Sequence, residues 1–198
     1  IGKSFVSRYE EKKNAHFVLI SPDQKNLYVP YVKDFNALMQ YGIDGNSLTP
    51  LDPPNAKPPE GTGPRHLANH PSGKFVYSSN EQRPGASVYQ RLANGQLRHR
   101  QVCDAFEKFP RDTGLSSSAV RCAPDGRFVF VGIRDREGEH NAIARYKVSE
   151  DKSLTLLGRT PADAVPWGLA FSPDGRFLLA TGTAAGTLQL FRIGKDGD

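Results

Sequence analysis

The chain alternates short apolar segments with turns. Runs such as Phe17–Ile20, Leu27–Val32, Phe128–Val131 and Phe177–Ala180 are rich in β-branched and aromatic residues. No stretch keeps a helical period over three turns, so strands are predicted throughout. Four segments superimpose on a shared turn: HFVLISPDQKNLYVPYV from His16, HLANHPSGKFVYSSN from His66, VRCAPDGRFVFVGI from Val120 and GLAFSPDGRFLLATG from Gly168. Their turn prolines are Pro22, Pro71, Pro124 and Pro173, spaced 49, 53 and 49 residues apart. In Ser172-Pro173-Asp174-Gly175 the proline presets φ, the aspartate bonds back to the backbone, and the glycine accepts an unusual dihedral. Each unit continues into a third strand (Ala37–Ile43, Ser87–Leu92, Ala142–Val148, Thr187–Ile193). A polar turn such as Asp44-Gly45-Asn46-Ser47 or Asn94-Gly95-Gln96 follows, then a weaker fourth strand.

A period near 50 residues with four antiparallel strands per period predicts an all-β protein, a β-propeller with about four blades in a single region over residues 1–198. Seven such blades would need about 350 residues. The pattern begins mid-unit and stops after a third strand, so a fragment of a larger, seven-bladed ring is expected. Pro53–Gly63, Cys103–Ser118 and the insertion Gly132–His140 are read as loops.

Composition narrows the function classes. With 37% hydrophobic and 24% charged residues in 198, a disordered tail or a fibre is excluded. No apolar run approaches the ~20 residues that cross a bilayer, so no membrane partner is expected. No basic segment followed by an apolar core opens the chain, although a start at Ile1 leaves room for a removed leader. A net charge of +5 leans toward anionic ligands, yet is too mild and dispersed to imply nucleic acid. Two cysteines, Cys103 and Cys122, read as free thiols in a reducing compartment, which points to the cytoplasm.

Function is sought where matched positions of the repeat disagree. Six residues before the turn proline stand His16, Arg65, Ser118 and Trp167; ten after it stand Val32, Glu81, Arg134 and Thr183. The first strand of a unit runs down from one face and the second climbs back, so both registers emerge at the same rim. His16 titrates near neutrality and suits a general acid or base. Arg65 and Arg134 suit a bidentate grip on a carboxylate or phosphate and a developing oxyanion, with Glu81 between them. His66 and Trp167 stand beside these as substrate-binding candidates. Each residue has a plainer reading: a loop histidine, an Arg65–Glu81 structural pair, a solvated Arg134, packing for His66 and Trp167. The convergence of the two registers favours the site. No CxxC, HExxH, P-loop, GxGxxG, GxSxG or EF-hand pattern is present, so neither a metal nor a cofactor is expected.

The runs Asn14-Ala15-His16-Phe17, Gly61-Thr62-Gly63-Pro64-Arg65-His66-Leu67-Ala68, Ser79-Asn80-Glu81, Val120–Phe128 and Ser172–Leu179 resemble the lactonase family of seven-bladed propellers. That family includes 6-phosphogluconolactonases and carboxymuconate lactonizing enzymes. The resemblance implies catalytic roles for His16, Arg65, Glu81 and Arg134. It implies an arginine where this chain has Trp167, and it implies opening blades that precede this stretch. The activity it implies is hydrolysis of a sugar lactone such as 6-phosphogluconolactone, with a small anionic lactone or carboxylate as partner. A lactonizing cycloisomerase and a non-catalytic binding or scaffold propeller are the alternatives. The sequence sets no oligomeric state.

Overall fold

In a computed structural model of the chain, described for residues 13–108 and 114–197, the repeat becomes four consecutive antiparallel sheets. The first holds β1 Leu19–Ile20, β2 Asn26–Tyr31, β3 Ala37–Asp44 and β4 Ser47–Asn55, in that order. The second holds β5 Pro64–Asn69, β6 Phe75–Asn80, β7 Gly85–Arg91 and β8 Leu97–Asp104. The third holds β9 Leu115–Cys122, β10 Phe128–Asp135, β11 Ala142–Val148 and β12 Leu154–Pro161. The fourth is three-stranded, with β13 Pro166–Phe171, β14 Phe177–Gly182 and β15 Thr187–Arg192. Every pairing is antiparallel between neighbours in sequence, and the described residues contain no α-helix. This is the blade pattern of a β-propeller, as the repeat predicts.

The turns form by the expected mechanism. Ser21 and Ser172 each donate a hydroxyl to the aspartate two residues on, at 2.6 Å, and accept the backbone N–H of Asn26 and Phe177. Asp125 accepts the N–H of Arg127 at 2.9 Å. The fourth turn position carries positive φ in every blade: Gln24 in the first, then Gly73, Gly126 and Gly175. At Gly126 a Cβ would sit 2.7 Å from the His70 ring, so this glycine lets the third blade's turn approach the second's.

The sheets stack face to face, and strand alternation divides each inner strand between two cores. In β10, Val129, Val131 and Ile133 pack toward the second blade with Tyr77, Val88 and Tyr146. Phe128 and Phe130 pack the other way with Leu169 and Leu178 of the fourth blade. Buried on both faces, β10 reads as an unbroken apolar run rather than an alternating one. Tyr28 and Leu38 meet Leu67, Val76 and Tyr89 between the first two blades.

Polar clasps fix the register of neighbouring blades. Arg91 reaches Asp23 at 2.7 Å and the Tyr28 hydroxyl at 3.1 Å, and that hydroxyl donates to the Gly95 carbonyl at 2.6 Å. The Gln101 side chain pairs with both backbone groups of Leu154, donating at 2.9 Å and accepting at 2.8 Å. Along the inner strands Ser79 donates to the Ser118 carbonyl and Ser118 to that of Pro166, at 2.6 and 2.7 Å.

The loops are shorter than the sequence suggests. Residues 53–55 belong to β4, leaving a loop that Asn36 pins through the Pro58 and Pro59 carbonyls. Strands β8 and β9 take both ends of Cys103–Ser118, and β10 runs on through Arg134 to Asp135, so Arg134 is a strand residue and not part of a solvated insertion. Ile133→Ala, which empties a wholly buried site between two blades, is expected to lower stability by about 2–4 kcal/mol, read from urea unfolding.

Candidate active site

Strand starts and strand ends deliver the functional side chains to one rim. His16 precedes β1, with its backbone N–H on the Pro30 carbonyl at 3.0 Å. Arg65 and Trp167 are the second residues of β5 and β13, Arg134 is the last but one of β10, and Glu81 directly follows β6. The Glu81 N–H bonds the Gly63 carbonyl at 2.7 Å. All five line one open cavity of about 570 Å³. Val32, also a register member, lines the same cavity, whereas the remaining two members do separate work. Ser118 is buried between the third and fourth blades, and the Thr183 N–H bonds Val165.

The centre of the cluster is a single carboxylate oxygen. Glu81 Oε2 accepts from Arg65 Nε at 2.8 Å, lies 3.5 Å from Arg134 Nη2 and 3.9 Å from His16 Nε2. The Trp167 indole covers both guanidinium groups, with its ring centroid 5.0 Å from Arg65 Cζ and 4.6 Å from Arg134 Cζ. Side-chain exposure runs from 0% for Arg65 and 4% for Arg134 to 19% for Glu81 and 29% for His16. The two arginines, expected from the sequence to grip the ligand, are therefore enclosed. Arg65 hydrogen-bonds Glu81 and forms part of the cavity wall. Its Nη2 and the Arg134 Nε are buried without a hydrogen-bond partner, a cost that the indole face partly offsets. Burial and the neighbouring Arg65 charge bring Arg134 down to about 10, still protonated at neutral pH.

His16 and His66 sit together, rings 5.4 Å apart, but differ in role. Burial, then the Arg65 charge, lowers the His16 value below 6.5, so its imidazole is a neutral acceptor at pH 7. Burial and the same arginine hold His66 at about 3. Its Nε2 lies 3.2 Å from Arg65 Nη1, which can only donate, so the ring proton is on Nδ1. The His66 ring stacks on Phe17 at 4.7 Å and lies off the cavity lining. His66 thus supports Arg65 from behind, where the sequence suggested a substrate contact.

Two further cations line the cavity that the repeat registers passed over. Lys33 and Arg136 are exposed, one just beyond the end of β2 and one just beyond β10. The Lys33 N–H donates to Gln82 Oε1 at 2.9 Å, and Gly63, at φ +57°, leaves room for that Gln82 side chain, which a Cβ would overlap. On the far side Asn141 Oδ1 accepts from both Asp135 and Val165 at 2.9 Å, tying the Arg136 loop to the strand that carries Trp167. The signal in the sequence is a position one or two residues past the second register. Among the described residues no group of three or more His, Cys, Asp or Glu could hold a metal ion.

Residues 2–197 match the family described as lactonase, seven-bladed β-propeller. The chain belongs to that family. A 6-phosphogluconolactonase of Yersinia pestis (strain Pestoides F) is 29% identical over 195 residues, 96% of this chain and 56% of the relative. One of Enterobacter sp. (strain 638) is 29% identical over 190 residues, 95% of this chain and 56% of its own. The periplasmic gluconolactonase of Pseudomonas aeruginosa superposes with a TM-score of 0.83 at 27% identity, covering 93% of this chain and 51% of that one. A putative 6-phosphogluconolactonase from Bacteroides fragilis gives 0.81 at 25% identity, covering 92% and 51%. The chain thus spans about half the length of the relatives it matches.

A pH dependence of stability follows from the histidine pair. Both have folded values below the unfolded 6.5, so below that pH the unfolded chain binds more protons and stability is lost as pH falls toward about 3. His66→Gln is expected to flatten that acid limb in urea midpoints measured between pH 7 and 4. In the unaltered protein the His66 ring should stay neutral throughout pH 5–8 by NMR.

Proposed function

We propose that the protein of which this chain is part hydrolyses a sugar lactone, 6-phosphogluconolactone being the leading substrate, to the open-chain acid. The observation that carries this reading is the convergence of His16, Arg65 and Arg134 on one oxygen of Glu81 inside a cavity of about 570 Å³. The names of the relatives support it.

The chemistry fits the exposure order. His16 Nε2 and Glu81 Oε2 are 3.9 Å apart, too far for a direct hydrogen bond. A water at about 2.8 Å from each would give one proton to each acceptor. His16, neutral at pH 7, takes a proton as the water oxygen attacks the lactone carbonyl. The new carbon–oxygen bond pushes charge onto the carbonyl oxygen, in the positive field of Arg65 and Arg134. Collapse breaks the bond to the ring oxygen, which accepts the proton from His16 and leaves as a hydroxyl. Net, one water is added and the acid formed ionises. Glu81, held by Arg65, orients the water and stabilises the imidazolium. Trp167, 37% exposed, offers an apolar platform to the sugar ring. A cytoplasmic location is part of the same proposal.

Incubating the intact protein with 6-phosphogluconolactone, and separately with a carboxymuconate, tests the activity against the spontaneous rate. Hydrolysis of the first supports the reading, turnover of the second alone moves the site to lactone formation, and turnover of neither overturns both. His16→Gln is expected to lower kcat by about 10²–10⁴-fold, with KM little changed. The acid limb of kcat/KM should fall below pH 6.5, because the free His16 value is depressed. Arg65→Lys keeps the charge but loses the Nε contact to Glu81, so a drop in kcat rather than a rise in KM is expected.

A further inference from the structure

The relatives are named for phosphorylated and for plain sugar lactones, and the cavity itself bears on which this chain takes. Resting on the lactonase reading, we propose that Lys33 and Arg136 form an anion subsite at the mouth of the cavity, one that selects a phosphorylated sugar over a neutral one.

Counting charges in the lining comes first. It holds four cations, Lys33, Arg65, Arg134 and Arg136, against one carboxylate, Glu81, while His16 is neutral at pH 7. Two of the four are committed: Arg65 and Arg134 are enclosed, capped by the same indole and directed at Glu81. They face one carboxylate from nearly fully buried positions, so Glu81 is the partner nearest to hand for both. Lys33 and Arg136 are the opposite case. Both side chains are exposed, both line the cavity, and neither lies within ion-pair distance of a carboxylate among the described residues. A cavity with unspent positive charge at its open end and the catalytic pair deeper in matches a ligand with its reacting carbonyl at one end and a dianion at the other.

The two cations are also placed, rather than merely present. Lys33 sits at φ +58° with its N–H tied to Gln82, the neighbour of Glu81, so the lysine backbone is fixed relative to the catalytic carboxylate. Asp135 accepts the N–H groups of Glu137 and His140, fixing the turn that carries Arg136 at the end of β10. Lysine gives a mobile point charge and arginine a planar fork, a combination suited to the oxygens of a phosphate. The lactone ring in between would lie against Trp167.

The test compares binding of 6-phosphogluconate and gluconate, the unreactive products, to the intact protein by titration calorimetry. Both are carboxylates, so their difference isolates the phosphate. The unaltered protein is expected to prefer 6-phosphogluconate. Lys33→Met and Arg136→Gln are each expected to reduce that preference about three- to tenfold, and the double variant to abolish most of it. Lys33→Arg and Arg136→Lys should keep it, since charge and not shape carries the effect. The preference should also shrink as salt rises. A protein that binds both acids equally, or a double variant that keeps the preference with an unchanged unfolding midpoint, overturns the subsite. A protein that shows the preference but opens no lactone overturns the catalytic reading alone.

Discussion

The rim depends on the contact between Arg65 and Glu81. A guanidinium with no exposed surface and a partly exposed carboxylate meet at 2.8 Å. Neither would be stable alone there: an unpaired buried charge costs several kcal/mol, whereas the paired charges offset much of each other's desolvation. The pair therefore anchors the start of β5 to the end of β6 and sets where a third and a fourth group must stand. Arg134 arrives from the next blade at 3.5 Å and His16 from the preceding one at 3.9 Å. Removing the carboxylate would leave two enclosed cations facing each other.

The blades around it are built for this purpose only indirectly. Their cores are apolar and lie between sheets, and their polar clasps, Arg91 on Asp23 and Gln101 on Leu154, set blade register. Register is what brings positions six before and ten after a turn proline to one rim. A slip of a single residue in β6 or β10 would turn Glu81 or Arg134 to the wrong face. The serine links from β6 to β9 and β9 to β13 tie the second, third and fourth blades together.

The same geometry separates four cations into two kinds. Arg65 and Arg134 lie under Trp167 and face Glu81. Lys33 and Arg136 remain free to meet a ligand. Likewise the two histidines divide: one faces the cavity, and one lies behind Arg65 on Phe17, kept neutral by burial. Residue type alone makes no such distinction, because protonation and access follow from surroundings that several blades supply.

The proline turns, the strand alternation and the repeat of about 50 residues belong to the sequence, since local dihedral preference and a periodic apolar face need no partner to be read. So do the identities of His16, Arg65, Glu81 and Arg134, because matched positions in a repeat share a location. Hidden from it were the enclosure of both arginines, the place of His66 between Arg65 and Phe17, the strand character of Arg134, and the presence of Lys33 and Arg136 in the cavity lining. Each of these turns on which side chains from different blades lie on top of one another. That packing is fixed by contacts far apart in the chain, and only the folded arrangement decides it.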